Sequence, residues 1–272
     1  MNPEEPRIDY LAVVDDQVPS CREDARVFAV QLMREWGLDL RRELSGGYCS
    51  HVVTDGVLVL KVPFQGEEQT TGRLAAERLA GFVGPKIHRV DVATGSMLME
   101  YVPGEQLAAF GSDDARAMPV FFDLAHKVRQ LDPASLPDMD TYFRVRTELI
   151  DRLLATTAEK VFLHADLHHL NILWSGARWL AIDPLGFHGD PAFEAVAYLR
   201  NPIDALEQIE HLEPFLEGRI NALAKGLNVD ANRIWAWSLA DRRAGSAGDD
   251  HAWGRMLPAL ESLADRFHSP RG

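Results

Sequence analysis

The sequence predicts an α+β chain of two lobes: a small five-stranded antiparallel sheet with one main helix over residues 1–102, and a larger, mostly helical lobe over 103–272. Three observations carry this. Short apolar runs with one helical pattern among them occupy residues 44–101. Pro103-Gly104 then breaks the pattern. Beyond it the apolar spacing turns helical, the composition shift expected at a lobe boundary.

In the first lobe, Asp24 to Trp36 places Val27, Val30, Met33 and Trp36 at helical spacing, and Gly37 ends the helix. Ser45-Gly46-Gly47 opens a tight turn between two strands, and Asp55-Gly56 turns the chain into a third, Val57–Val62. A glycine hairpin of this kind brings backbone N–H groups of Ser45, Gly46 and Gly47 close to phosphates, and Lys61 on the next strand adds a point charge. No Gly-x-x-x-x-Gly-Lys-Ser/Thr cradle occurs. Residues 67–81 read as a helix with the stripe Thr71, Leu74/Ala75, Leu79 and Phe82, stopped by Gly81. Glu68 lies almost two turns before Ala75, on that stripe, whereas Glu77 points about 160° away. A carboxylate on a buried stripe calls for a cation, and Lys61 is the obvious one; the helix dipole alone also favours a first-turn Glu. Ile87–Asp91 and Met97–Tyr101 complete the strands, and the hinge falls near 102–105.

In the second lobe, Ser112 or Asp113 caps a helix reaching Gln130, with Val120, Leu124 and Val128 on one face. Tyr142–Thr156 makes another. Asp190 at the cap and Pro191 at the first position open a helix running to about Arg200. Helices near 204–226 and 230–244 follow, then a polar loop at 245–250 and a last helix over 252–267.

The chemistry concentrates between these helices. Val161–Trp174 and Trp179–Pro184 read as a strand, a polar loop, a second strand, a turn at Ser175-Gly176 and a third strand ending in a carboxylate. The loop presents Asp166 and Asn171, and the third strand delivers Asp183. Two carboxylates and an amide oxygen on strand ends suit a hard divalent cation, and Mg²⁺ is usually held by one or two carboxylates together with nucleotide phosphates. The spacing His-x-Asp-x-x-x-x-Asn matches the catalytic loop of protein kinases, where the Asp orients and deprotonates the attacking hydroxyl while the Asn and a later Asp hold metal. Phosphotransfer is the reading this pattern supports. Two others stand beside it: a zinc hydrolase built from His164, His168 and His169 with Asp166 and Asp183, and a non-catalytic nucleotide-binding module.

Composition narrows the partners. The 272 residues are 46% apolar and 25% charged, as in an ordinary globular protein with a proper core. A formal charge of −13 speaks against nucleic acid and tolerates a cationic ligand. Cys21 and Cys49 make no metal framework. The acidic start lacks a basic n-region and an apolar h-region, and no apolar run reaches membrane-spanning length, so a cytoplasmic protein is expected.

Leu163-His-Ala-Asp-Leu-His-His-Leu-Asn-Ile-Leu173, Trp179-Leu-Ala-Ile-Asp-Pro-Leu-Gly186 and Gly189–Pro202 together resemble the aminoglycoside phosphotransferases, in particular the streptomycin 6-kinase and hydroxyurea-resistance branch. The likeness is strong from about 160 to 202, fair from 44 to 104 and faint elsewhere. It implies a protein-kinase-like fold and ATP- and Mg²⁺-dependent phosphorylation of a hydroxyl on a small molecule, an aminoglycoside such as streptomycin or another metabolite. Asp166 would then be the catalytic base, and Asn171 and Asp183 would hold Mg²⁺. Lys61, braced by Glu68, would contact nucleotide phosphates, and the Glu100 carbonyl and Val102 amide would pair with adenine. Ala165 stands where the family usually has Gly, and Leu170 where an acidic residue is common. Groups that meet the acceptor are expected on the helices after Asp183, where Asp190, Glu194, Asp241, Asp249 and Asp250 are the acids available, each also readable as a cap or a solvated charge.

Overall fold

The computed structural model describes residues 19–44, 49–64, 69–245 and 254–267; Ser45, Gly46, Gly47, Glu68, Asp249 and Asp250 lie outside them. The chain forms two compact units, Met1–Thr70 with Lys86–Tyr101, and Thr71–Pro85 with Val102–Gly272.

The first unit packs helix α1 (Arg22–Trp36) on a sheet of β1 (Arg42–Glu43), β2 (Ser50–Thr54), β3 (Leu58–Pro63), β4 (Ile87–Asp91) and β5 (Ser96–Glu100). The strands run antiparallel in the order β1-β2-β3-β5-β4. Gly37 ends α1 in the left-handed region at φ 68°, as expected. The buried face shares only part of the predicted stripe: Ala25, Phe28, Ala29 and Leu32 turn inward, against Leu60, Val62 and Leu98, with Met33 and Trp36 packed against them, while Val27 and Val30 are only half-buried. Both stripes have helical spacing, and contact with the sheet selects the one with small residues for close approach. At the β2–β3 turn the Asp55 carboxylate accepts the N–H groups of Val57 and Leu58, both at 2.8 Å. Lys61 lies mid-strand on β3, between Val52 and Met97, with 6% of its surface exposed.

Helix α2 (Thr71–Leu79), placed in the first lobe by sequence, groups with the second unit. Ala75, Leu79 and Val83 join that unit's core. Gly186 fixes the approach: a Cβ there would meet Ala75 Cβ at 2.5 Å and the Thr71 carbonyl at 2.7 Å. Thr71 Oγ1 donates to the Leu185 carbonyl at 2.6 Å. Phe82 is 43% exposed instead of completing the stripe, because Gly81, at φ 73°, has already turned the chain out of the helix.

The rest of the second unit carries α3 (Asp114–Arg129), α4 (Glu148–Ala155), β6 (Val161–Leu163), β7 (Ile172–Trp174), β8 (Trp179–Ala181) and β9 (Phe187–Gly189). After them come α5 (Glu194–Leu199), α6 (Ile203–Glu207), α7 (Leu212–Leu227), α8 (Ala231–Gly245) and α9 (Met256–Ser262). Strands β6 and β9 pair antiparallel, as do β7 and β8. Gly104 lies so close under β7 that a Cβ would overlap the Trp174 carbonyl, and the Glu105 carbonyl accepts the Trp174 N–H at 2.9 Å. Several helices are shorter than predicted, two of them for a clear local reason. α4 begins only after Thr147, whose side chain accepts the Ile150 N–H. The run 204–226 is broken at 208–211, because Pro214 has no N–H and its ring clashes with a preceding helical turn, so it is tolerated only in the first turn of a new helix.

Candidate active site

The loop between β6 and β7 is held from below by buried groups. His164 is fully buried, and burial pushes its imidazole down to about 4, so it is neutral at physiological pH. Its partners fix the tautomer. Nε2 lies 3.0 Å from the Ile182 carbonyl and must carry the proton, while Nδ1 accepts the Asp166 N–H at 3.3 Å. The His164 carbonyl accepts the N–H groups of Leu185 and Gly186, and the His164 N–H donates to Glu194 Oε2 at 2.8 Å. Burial raises the Glu194 carboxyl to about 8 against the lowering effect of the backbone N–H groups of His164 and Ala165. Ala165 itself stands at φ 65°, a conformation natural to the Gly usual at this position, and Asp183 at φ 56°.

These supports present Asp166. Its Oδ2 accepts from Asn171 Nδ2 at 3.0 Å and faces His168 Nε2 at 3.4 Å, and its Oδ1 accepts from Arg200 Nη2 at 3.2 Å. Burial raises the Asp166 carboxyl, but the His168 contact and the Arg200 guanidinium outweigh it and hold the group below the usual carboxylate range. It is therefore ionised, the state a base requires. The Ile182 N–H donates to the Asn171 carbonyl at 2.9 Å, extending the β7–β8 pairing and bringing Asn171 and Asp183 to the same end of that ribbon. Asn171 uses its amide nitrogen on the carbonyl and carboxylate of Asp166, which leaves its amide oxygen as the atom to offer a cation. With Asp183 at the same end of the ribbon, the donor set is all oxygen and fits a hard ion such as Mg²⁺.

The three histidines do not form a zinc site. His164 turns to Ile182, His168 to Asp166, and His169 stacks on Tyr198 with ring centroids 4.3 Å apart. Among the described residues no three His, Cys, Asp or Glu stand where they could hold a metal. His169 is fully buried, and neither ring nitrogen has a hydrogen-bond partner among the described residues. Burial drives its imidazole to about 2.

The other predicted site residues fall elsewhere. Lys61 is on β3 and Glu100 ends β5, both in the first unit, while Val102 is the first residue of the second unit after the boundary. Glu77, expected to face away from the stripe, pairs with Arg73 at 2.8 Å. Of the acids expected to meet the acceptor, the described ones, Asp190, Glu194 and Asp241, are already engaged. Asp190 caps the turn at Pro191–Phe193, accepting the Ala192 N–H, and its Oδ2 accepts Arg233 Nε at 2.7 Å and Trp237 Nε1 at 2.8 Å. Asp241 accepts Arg200 Nη1 at 2.8 Å and the Tyr142 O–H at 3.2 Å. The guanidinium at Asp241 thus belongs to the chain itself. Sequence reasoning missed Arg200 and Tyr142; the only available signal was that Arg200 sits in the Leu-Arg-Asn-Pro stretch that carries part of the resemblance.

Residues 140–250, which hold this whole loop and its supports, match the family model described as aminoglycoside/hydroxyurea antibiotic resistance kinase. Over those residues the chain is similar to that family. It is 32% identical over 171 residues to the streptomycin 3''-kinase of Klebsiella pneumoniae, a match covering 54% of this chain and 64% of that protein, less than two thirds of its length. It is 28% identical over 214 residues to the streptomycin 6-kinase of Streptomyces griseus, covering 69% of this chain and 68% of the other. Among solved structures the fold is shared with aminoglycoside phosphotransferase APH(4)-Ia, at TM-score 0.57 and 15% identity over 90% of this chain and 99% of that one. It is also shared with choline kinase LicA from Streptococcus pneumoniae, at TM-score 0.55 and 12% identity over 86% of this chain and 99% of that one. The fold is therefore of the protein-kinase-like α+β type, and among the described residues no helix is long and apolar enough to cross a membrane.

Proposed function

We propose that this protein is an aminoglycoside phosphotransferase, which transfers the γ-phosphoryl group of ATP to a hydroxyl of an aminoglycoside, with streptomycin as the leading acceptor. The observation that carries the reading is the ionised, doubly held Asp166 beside the oxygen donors Asn171 and Asp183. The names of the relatives, streptomycin kinases, support the acceptor class. APH(4)-Ia has been crystallised with ADP and hygromycin B, which supports the nucleotide.

In this reading Asp166 accepts the proton of the acceptor hydroxyl as its oxygen bonds to the γ-phosphorus and the bond to the ADP oxygen breaks. Asn171 and Asp183 would hold Mg²⁺, which would offset the charge of the triphosphate. Lys61 adds a second positive charge at the phosphates. The Glu100 carbonyl and Val102 N–H are the groups proposed to take the adenine edge; Ser45, Gly46, Gly47 and Glu68, expected from sequence to assist at the phosphates, lie outside the described residues.

A panel of aminoglycosides and small hydroxylated metabolites, assayed with ATP and Mg²⁺, tests the acceptor. Phosphate transfer to streptomycin is expected, and absence of transfer to every aminoglycoside overturns the reading. Asp166→Asn should lower turnover by roughly 10²–10⁴ with folding retained. Full turnover in that variant removes Asp166 from the chemistry.

A further inference from the structure

Arg200 caps the C-terminal end of α5, and its side chain is 15% exposed. Its guanidinium joins two carboxylates that come from distant parts of the chain. Nη1 meets Asp241 Oδ2 on α8 at 2.8 Å, and Nη2 meets Asp166 Oδ1 in the loop at 3.2 Å. Asp241 is the firmer of the two anchors, with 8% of its side chain exposed and its other oxygen accepting the Tyr142 hydroxyl. Tyr142 in turn sits edge-on among Phe143, Phe187 and Phe193, which fixes its ring. A line of contacts therefore runs from a packed aromatic cluster through Tyr142, Asp241 and Arg200 to one oxygen of Asp166.

The other oxygen of Asp166 is held from the opposite side by Asn171 and His168. With both oxygens held, the carboxylate plane cannot rotate, so it meets the acceptor in one orientation. A misplacement of about 1 Å at a reacting group can cost on the order of a hundredfold in rate. The planar guanidinium suits this task because its fork engages two carboxylates at fixed angles, which a lysine ammonium does not do.

We propose that Arg200 is a positioning residue for phosphoryl transfer, anchored on Asp241 and setting the orientation of Asp166. This rests on the reading of Asp166 as base given above. It also gives Asp241 a role distinct from acceptor binding: the carboxylate holds an internal guanidinium.

The test compares Arg200→Ala, Arg200→Lys and Asp241→Asn with the wild type in steady-state kinetics with ATP and streptomycin. Arg200→Ala is expected to lower kcat by about tenfold to a hundredfold with KM for ATP little changed. Millimolar guanidinium should restore part of the loss in Arg200→Ala and none in Asp166→Asn. Arg200→Lys should recover little, and Asp241→Asn, which keeps the arginine but weakens its anchor, should lose less than Arg200→Ala. Wild-type kcat in Arg200→Ala overturns the inference while leaving the proposed function standing. So does a loss that guanidinium fails to restore and that follows a fall in melting temperature. If the wild type itself transfers no phosphate to any acceptor, the proposed function fails, and the clamp is decided by urea unfolding of Arg200→Ala, Asp166→Asn and the double variant. Non-additive midpoints support the contact, and additive ones overturn it.

Discussion

Two buried arginines in the second unit have the same chemistry and hold different things. Arg219, with none of its side chain exposed, grips Asp114 with Nε and Nη2, both at 2.8 Å, and directs Nη1 to the carbonyls of Leu199 and Asn201. Tyr198 lies under its plane and donates its hydroxyl to the same Asp114. All of these partners belong to α3, α5, α7 or the turn after α5, so the network is a bolt between helices. Arg200, one turn from that bolt, divides its fork between α8 and the loop that carries Asp166. The difference lies in what the second carboxylate belongs to. Where both ends of an ion pair sit on the frame, the pair sets stability; where one end sits on a functional loop, it sets orientation.

The comparison breaks most visibly at Arg219. Arg219→Leu leaves the Asp114 carboxylate, one-fifth exposed, without its guanidinium, and removing one partner of a buried pair costs at most about 3–5 kcal/mol. Chemical denaturation should show that loss, with kcat per folded molecule close to wild type. A large fall in kcat at full stability would erase the distinction between the two arginines.

Glu194 sharpens it at the seam between frame and loop, since its carboxyl accepts the His164 N–H. Burial raises that carboxyl from 4.5 to about 8, so the folded protein holds a proton that the unfolded chain releases. Its contribution is fully present below the ordinary glutamate range and is lost as pH rises through about 8. Stability should decline across that window with a slope of at most about 1.4 kcal/mol per pH unit for one proton. Glu194→Gln, which mimics the protonated acid, should flatten the decline; a slope identical to wild type removes Glu194 as its source.

The smallest effect belongs to the loop itself. Ala165 holds a left-handed backbone, which costs an alanine about 1–2 kcal/mol relative to its preferred region. Its methyl is 4% exposed, however, and burial of such a group returns about 0.8 kcal/mol, while glycine would lose about 0.5–1 kcal/mol in chain entropy. Ala165→Gly should therefore shift stability by less than about 1 kcal/mol. A larger gain would mean that the left-handed strain outweighs the buried methyl.

Much of the loop was legible because its chemistry depends on local spacing. Asp166 and Asn171 lie five apart and bond directly, and Asp183 ends a strand that pairs with the one following Asn171. The sheet was legible for a similar reason, since Asp55-Gly56 and the apolar runs on either side define a hairpin. Arg200 and Tyr142 were not, because their value comes from Asp241, some forty and one hundred residues further along the chain. Asp190 and Asp241 look alike as sequence, and only tertiary structure reveals that an internal arginine takes each of them. The face of α1 and the grouping of α2 failed on the same ground: a helical stripe does not say which surface it will meet. The break before α7 was readable, since Pro214 could not continue the preceding helix.

The chain passes between its two units three times, after Thr70, Pro85 and Tyr101. A recombinant fragment cut near residue 102 would keep Thr71–Pro85 but lose everything that helix packs on. Ala75, Leu79 and Val83 would then lie bare to water, an oily strip that invites clumping. Dissection of this protein by simple truncation will therefore yield insoluble material, and a free-standing sheet unit requires that insertion to be exchanged for a short glycine–serine bridge.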